Sequence, residues 1–267
     1  VSTSLLMTFE VPAIKLLLPP GEADVGAGLY GAAALLARFP AFLVGAMIAA
    51  LFPFLARAAQ AHDHEMARVA TGRAVRYVVV GVLPVSLFLA LESEASLRLL
   101  FPADYAAGAS TLALLAPAMF LLAVATVYAT LYQAASSPLV PAFALVGATA
   151  AQVMLMVVLV PAYGPAGAAA ATLAACGIGL ALLLWRFGQD HGIPRFGLEA
   201  AQVAAGLVAP VALLLLVRPE GKLATVALAG GVLLAHVAGL LATRFLTVGE
   251  VRETLALVAR RREGEGA

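Results

Sequence analysis

The amino-acid sequence predicts an all-α protein, a polytopic transmembrane helical bundle of about eight spans. Of its 267 residues, 63% are hydrophobic and 12% are charged, whereas soluble domains carry about twice that share of charge. A span needs about 20 mostly apolar residues. The segments that qualify are residues 2–19, 26–56, 74–92, 109–133, 138–160, 165–187, 199–217 and 222–245.

The start of the chain and the second span each predict a further feature of the protein. The chain opens at Val1 without a methionine, so we expect it to be a piece of something longer. The second span is long, and Pro40 and Pro53 predict a kink in it, because proline interrupts the helical hydrogen-bond ladder.

An uncharged turn joins the fifth span to the sixth at residues 161–172. Pro161 should end the fifth helix, because proline cannot donate the next backbone hydrogen bond. Gly164 can take the left-handed conformation that closes a helix, and Pro165 suits the first turn of the next one. Small residues then recur at every fourth position, which lets two helices approach closely: Gly167, Ala171, Ala175 and Gly179.

The spans group into three regions. Residues 1–187 form a six-helix transmembrane bundle, residues 188–247 add two more transmembrane helices, and residues 248–267 form a basic amphipathic tail. Apolar residues at helical spacing beside arginines predict that the tail lies on the cytoplasmic membrane surface.

The distribution of positive charge predicts the orientation, because lysine and arginine collect on the cytoplasmic side. One set of connections is rich in arginine: Arg57, Arg68, Arg73, Arg76, Arg186, Arg195, Arg244, Arg252, Arg260, Arg261 and Arg262. The opposite set holds Lys15, Arg98, Arg218 and Lys222. We therefore expect a multi-pass protein of the bacterial inner membrane with both termini in the cytoplasm.

Two charged residues fall inside predicted spans, Glu10 in the first and Arg38 in the second. Consecutive spans are antiparallel, so the two residues can reach similar depth, and a charge within a span usually faces the bundle interior or a water-filled cavity. One interpretation is that Arg38 holds an anionic group such as a phosphate, whose oxygens match its fork of donors, while Glu10 orients or releases that group. The alternative is a structural ion pair between two helices.

Three further residues are candidate cavity or substrate-binding residues. Lys15 is about one turn from its helix end and should reach toward the interface. Tyr128 and Gln133, near the cytoplasmic end of the fourth span, either line a polar vestibule or belong to an interfacial aromatic belt. Gln152, on the fifth span, predicts a single hydrogen bond between helices.

The sequence carries no signature of an enzyme, a cofactor site or a nucleic-acid surface. It lacks a glycine loop followed by Lys-Ser or Lys-Thr, which would bind nucleotide phosphates. His62-Asp63-His64-Glu65 falls in the long polar loop before the third span, where a solvated loop is favoured over a metal site. Cys176, the single cysteine, sits in an apolar helix that disfavours a reactive thiolate.

Several motifs together carry a family resemblance over residues 5–187. They are Glu10-Val11-Pro12-Ala13-Ile14-Lys15, the run from Ala23 to Ala33, Leu51-Phe52-Pro53 with Ala56-Arg57, Leu100-Phe101-Pro102-Ala103-Asp104-Tyr105, and the run from Val160 to Thr172. In this order and spacing they resemble the second half of polysaccharide and O-antigen flippases of the multidrug/oligosaccharidyl-lipid/polysaccharide exporter superfamily.

The resemblance implies the second lobe of a two-lobed flippase plus two extra C-terminal helices. It further implies transport of a lipid-linked oligosaccharide or polysaccharide precursor of the undecaprenyl-pyrophosphate type by alternating access, such as a precursor of lipopolysaccharide. Arg38 matches the family's cavity arginines by position, and Glu10 its usual acidic site. The partners would be membrane lipids and the missing N-terminal lobe.

Three other interpretations stay open at this point. One is a multidrug or cation antiporter of the same superfamily. Another is a non-transporting membrane scaffold or assembly subunit. The third is a half-transporter that pairs with a second copy of itself.

Overall fold

The computed structural model describes residues 9–40, 45, 56–57, 64–135, 137–192, 196–217, 219 and 221–243. Every regular element among these residues is helical, which confirms the predicted helical bundle. The elements are α1 (Glu10–Leu17), α2 (Pro20–Ala37), α3 (His64–Leu91), α4 (Ser93–Leu100), a 3-10 helix (Ala103–Gly108), α5 (Ala109–Ala134), α6 (Leu139–His191), α7 (Phe196–Leu216) and α8 (Lys222–Ala242).

Four of these helices are long and apolar enough to cross a membrane. They are α3, α5 together with the preceding 3-10 turn, α6 and α8. With 53 residues, α6 is far longer than one span requires, and it contains the predicted fifth and sixth spans. The described part of the chain is therefore a multi-pass membrane protein. Parts of the predicted first and second spans, with Pro53 in the second, and the whole tail at 248–267 lie outside the described residues.

The long helix α6 is broken at Gly164, which divides it into a first arm (139–163) and a second arm (165–191). Gly164 has φ 58 and ψ −136, a positive φ as predicted, although ψ differs from that of a left-handed helical cap. Pro161 was wrongly predicted to end the helix, which continues to Tyr163. A proline in the last turn removes only its own hydrogen bond, so the chain stays helical until glycine allows the bend.

Helix α3 begins ten residues earlier than the apolar pattern predicts, at His64 instead of residue 74. The prediction of a loop at His64 and Glu65 was therefore wrong, while His62 and Asp63 lie outside the described residues. Charged residues occupy the first turns of this helix, and the Arg68–Glu65 ion pair at i,i+3 spacing supports it. A hydropathy pattern detects the apolar part of a helix and misses such a polar extension.

Helix α5 lies at the centre of the first unit, where it packs against α2, α3, α4 and α6. At one end, the Tyr128 ring stands edge-on to Phe187 with centroids 5.1 Å apart. The Tyr132 hydroxyl donates to Asp190 over 2.9 Å, and His64 lies edge-on to His191 at 5.3 Å. These contacts hold the end of α6 against α5 and the start of α3 against the end of α6.

The described residues divide into two compact units. The first falls within Val1–Pro194 and Pro219–Val226, and the second within Arg195–Arg218 and Ala227–Ala267. In the second unit, Gly206 and Gly239 bring two backbones into direct contact, leaving no room for a side chain at Gly239. Such glycine contacts are typical of closely crossing membrane helices.

Candidate functional site

The structure brings Glu10 of α1 and Arg38 of α2 into contact, with Arg38 Nη2 3.3 Å from Glu10 Oε2. The other carboxylate oxygen, Oε1, accepts from Gln152 Nε2 at 3.2 Å and Thr172 Oγ1 at 2.9 Å. Tyr30 places its hydroxyl beside the same carboxylate. Four helical segments thus converge on one acidic group: α1, α2 and both arms of α6.

Local sequence explains why these side chains meet. Glu10 is the first residue of α1, and Arg38 directly follows the last residue of α2. The turn at Leu18 and Pro19 folds α1 against α2, and the long Arg38 side chain completes the contact with Glu10. The bend at Gly164 folds the second arm of α6 back on the first, which brings Thr172 within 3.0 Å of Gln152.

Each hydrogen-bond donor that contacts Glu10 from α6 has an acceptor within reach. Gln152 Nε2 has two protons and two acceptors within reach, the Glu10 carboxylate and the Thr172 hydroxyl oxygen. Thr172 has a single proton, which can go to Glu10 or to the Ala168 carbonyl at 3.0 Å. The arrangement therefore holds the carboxylate firmly in one position and leaves little freedom for it to follow a moving partner.

The two charged partners differ sharply in exposure. The Glu10 side chain is 2% exposed and that of Arg38 is 40% exposed. Arg38 and Glu10 border a small crevice against Leu115 and Met119 of α5. Arg38 is therefore the charged group of this cluster that an anion entering from the exposed side would meet first, with Glu10 behind it.

The other predicted site residues lie elsewhere. Lys15 Nζ forms an ion pair with Asp24 Oδ1 at 2.7 Å between α1 and α2, and both side chains are well exposed. Tyr128 is buried in the core against Phe187. Gln133 is exposed and lines a separate apolar groove between α5 and α6.

The ridge of small residues lies along the second arm of α6. A side chain at Gly167 would overlap the backbone carbonyl of Leu159, and one at Gly179 would touch the Ala148 methyl at 3.3 Å. Ala171 and Ala175 are fully buried between these points. The ridge thus packs the two arms of α6 against each other and sets the distance from Thr172 to Gln152.

Sequence reasoning missed two members of the cluster, Thr172 and Tyr30. Thr172 is the last residue of the uncharged turn sequence at 161–172. The feature that could have identified it is that it is a polar residue in a helix of small residues, one turn after Ala168. Tyr30 follows an acidic, glycine-rich stretch and carries no local signal. Its burial depends on the packing of α2 against neighbouring helices, which periodicity alone does not specify.

A helical bundle with a charged cluster buried among its helices is typical of polytopic membrane transporters, the class to which the fold and the site point. The family description "Lipid II flippase MurJ" matches residues 23–220. Because this match spans most of the chain, the chain belongs to the lipid II flippase MurJ family. No curated protein matches the chain.

The family match confirms the predicted resemblance at the level of flippases for lipid-linked precursors, and it does not name the O-antigen branch. Arg38, Gln152 and Thr172 fall within the matched residues, whereas Glu10 and Lys15 precede them.

Proposed function

We propose that this protein flips a lipid-linked saccharide precursor of the lipid II class across the cytoplasmic membrane by alternating access. The observation that carries the proposal is the part-exposed Arg38 guanidinium, backed by a buried and fixed carboxylate. Family membership supports a lipid-linked precursor as the substrate, and favours the lipid II class over an O-antigen precursor. The proposed activity makes and breaks no covalent bond, so we propose no enzymatic role.

Arg38 would bind the phosphate groups that join the lipid to the sugar. Its contact with Glu10, at 3.3 Å, is longer than the 2.7–2.9 Å or so that is typical of charge-assisted pairs. A phosphate can offer two oxygens to the planar fork of the guanidinium, a geometry that arginine matches well. Phosphate can therefore compete with Glu10 for Arg38.

Glu10 would make that binding reversible. When phosphate takes Arg38, Glu10 keeps its bonds to Gln152 and Thr172 but loses its nearest positive charge. A buried charge without its counter-ion is strongly unfavourable. This penalty favours return of Arg38 to Glu10 and release of the phosphate after the bundle has changed conformation, since only a differential interaction with two states can drive transport.

The proposal extends to orientation and partners. The arginine-rich connections would face the cytoplasm, in the inner membrane of a bacterium. The second partner, besides bilayer lipid, would be a first lobe that rocks against the bundle described above, as in transporters built from two related halves.

The test is complementation by the full-length gene product in two bacterial strains, one depleted of its lipid II flippase and one lacking its O-antigen flippase. We expect growth to be restored in the first strain only, and Arg38→Ala to abolish it. The matched control is Arg98→Ala, because Arg98 is an exposed arginine paired with Glu94 outside the cluster.

Each remaining outcome decides between interpretations. Rescue of the O-antigen strain alone would replace the proposed substrate class. Unchanged rescue by Arg38→Ala, with normal protein in the membrane, would overturn the role of Arg38 and favour a structural ion pair. Failure in both strains, with drug efflux or with no transport at all, would favour the antiporter or the scaffold.

A further inference from the structure

Tyr30 of α2 is fully buried, and its hydroxyl group makes no hydrogen bond within the part of the chain that the structure describes. Burial of a hydroxyl group without a hydrogen bond costs stability. Phenylalanine would fill the same space without that cost. The presence of tyrosine at this position is therefore best explained by a second state of the protein, in which the hydroxyl group does have a partner.

The Tyr30 hydroxyl lies next to the acidic group at the centre of the cluster. It stands beside the Glu10 carboxylate and the Thr172 hydroxyl, and it forms a hydrogen bond with neither. Glu10 already has other donors, since Oε2 accepts from Arg38 and Oε1 accepts from two side chains of α6. Tyr30 thus brings to the cluster a proton that no hydrogen bond in this state uses.

Tyr30 and Arg38 lie on the same side of α2, with Ala34 midway between them at i+4 spacing. The Arg38 backbone N–H donates to the Ala34 carbonyl over 3.0 Å, so the helical spacing continues to Arg38. Ala34 also borders the crevice that Glu10 and Arg38 share. The Glu10 carboxylate therefore has two neighbours from one side of α2, a part-exposed cation and a buried hydroxyl.

Binding of phosphate to Arg38 would change what Glu10 needs. The carboxylate would lose the donor at Oε2 and its nearest positive charge, which is costly for a buried anion. An ionised carboxylate has about four lone-pair sites, and the proton of a hydroxyl group rotates to suit its acceptor. Because hydrogen bonds to an ionised acceptor are roughly twice as strong as neutral ones, the unused Tyr30 proton is well suited to offset part of this loss.

We propose that Tyr30 is a positioning residue, which donates its hydroxyl proton to Glu10 when the substrate's phosphate groups take Arg38. This inference rests on the proposed function, because it gives Glu10 a replacement donor in the substrate-bound state. The proton stays on tyrosine, and no covalent bond changes. The hydroxyl group supplies a dipole in place of a full charge, so it makes substrate binding tighter while the return of Arg38 to Glu10 remains favourable.

The test measures equilibrium binding of fluorescent lipid II to the full-length protein in nanodiscs, together with thermal unfolding in the absence of lipid II. We expect Tyr30→Phe to weaken binding by about tenfold, the order for one lost hydrogen bond to a charged group. Its unfolding temperature should be unchanged or higher. The matched control is Tyr132→Phe, because the Tyr132 hydroxyl already donates to Asp190. This control should unfold at a lower temperature and bind lipid II as the parent protein does.

The same substitution in the Glu10→Gln protein tests whether Tyr30 acts through Glu10. Glutamine carries no charge, so no buried anion is left when Arg38 takes phosphate, and Tyr30→Phe should then change binding by less than about twofold. Glu10→Gln alone should bind lipid II at least as tightly as the parent protein, because no carboxylate competes for Arg38. Equal weakening with and without Glu10 would show that the hydroxyl group contacts the substrate directly, and would overturn the proposal.

The remaining outcomes separate failure of the inference from failure of the proposed function. Unchanged binding by Tyr30→Phe would overturn the role of Tyr30 and leave the proposed function intact. A fall in unfolding temperature as large as that of Tyr132→Phe would assign the Tyr30 hydroxyl a structural bond, and would overturn its role as well. Absence of lipid II binding by the parent protein, or its loss in Glu10→Gln, would overturn the proposed roles of Arg38 and Glu10, and that of Tyr30 with them.

Discussion

Glu10 is the residue on which the candidate site depends. Its carboxylate contacts Arg38, Gln152 and Thr172, which come from three different segments of the fold. A buried carboxylate is stable only when it is paired and hydrogen-bonded, and this one has both kinds of partner. In the proposed function the cluster both stabilises the fold and binds an anion, and the two roles can be separated by measurement.

A double-mutant cycle of Glu10→Gln and Arg38→Gln should show measurable energetic coupling. Glutamine keeps the size of both side chains and removes their charges. We expect an interaction free energy of about 0.5–3 kcal/mol, the range for contacting residues, toward the lower part because Arg38 is 40% exposed. The measurement is thermal unfolding of the four purified proteins.

The exposed Lys15–Asp24 pair provides the control cycle. Surface ion pairs are screened by water and contribute little, so Lys15→Gln and Asp24→Asn should show weaker coupling than the buried pair. Coupling in the control cycle as strong as that between Glu10 and Arg38 would show that the measurement does not report on the buried cluster.

A small acid dependence of stability should come from Asp24. The hydrogen bond from Lys15 lowers the pKa of Asp24 below its ordinary value of 3.8. A lowered pKa in the folded state means that the contribution is present above the ordinary value and is lost as the pH falls through the lowered one. Asp24→Asn and Lys15→Gln should both reduce the dependence of the unfolding temperature on pH over that acidic range. A difference between the two variants would contradict the assignment of this pH dependence to the Lys15–Asp24 pair.

At the scale of elements, the bend in α6 positions the site. It turns the second arm back so that Gly167 lies against the Leu159 carbonyl and Thr172 meets Gln152. Gly164 makes the bend possible, because its φ of 58 and ψ of −136 fall in a region that only glycine adopts readily.

Alanine substitutions in α6 should distinguish three kinds of glycine by their effect on stability: one at the bend, one in close backbone contact and one in open space. We expect Gly164→Ala to destabilise the protein by about 1–3 kcal/mol through backbone strain, and Gly167→Ala to destabilise it by steric overlap with Leu159. Gly188→Ala is the matched control, since a methyl group there meets nothing within 4 Å. Thermal unfolding checks all three, and a neutral Gly164→Ala would contradict the assigned role of the bend.

The sequence predicts those features that local chemistry determines. The positive φ at Gly164 follows from the Pro-Ala-Tyr-Gly-Pro order, and antiparallel spans bring Glu10 near Arg38. It does not predict that Thr172 and Tyr30 lie beside Glu10, because their positions depend on how four helical segments pack. The start of α3 at His64 was missed for another reason, since a polar first turn resembles a loop in hydropathy.

At the scale of the whole molecule, the charge distribution predicts which side of the membrane each connection faces. After replacement of Cys176 by alanine, single cysteines at Arg76 and Asp104 can be treated with a membrane-impermeant maleimide in intact cells. We expect labelling at Asp104, between α4 and α5, and protection at Arg76. The reverse pattern would contradict the proposed orientation, and labelling after lysis shows that both positions are reactive.

The central claim is that Arg38 binds the phosphate groups of a lipid-linked substrate. The most direct measurement is flipping of fluorescent lipid II by the purified full-length protein in liposomes, comparing the parent protein with Arg38→Lys, Arg38→Ala and the Arg98→Ala control. We predict that Arg38→Ala reduces the rate by about tenfold or more, as expected when a charge-assisted phosphate contact of about 1.5–3 kcal/mol is lost, and that Arg38→Lys recovers only part of it, because lysine lacks the planar fork. Equal rates for the parent protein and Arg38→Ala, with both correctly folded, would contradict the claim.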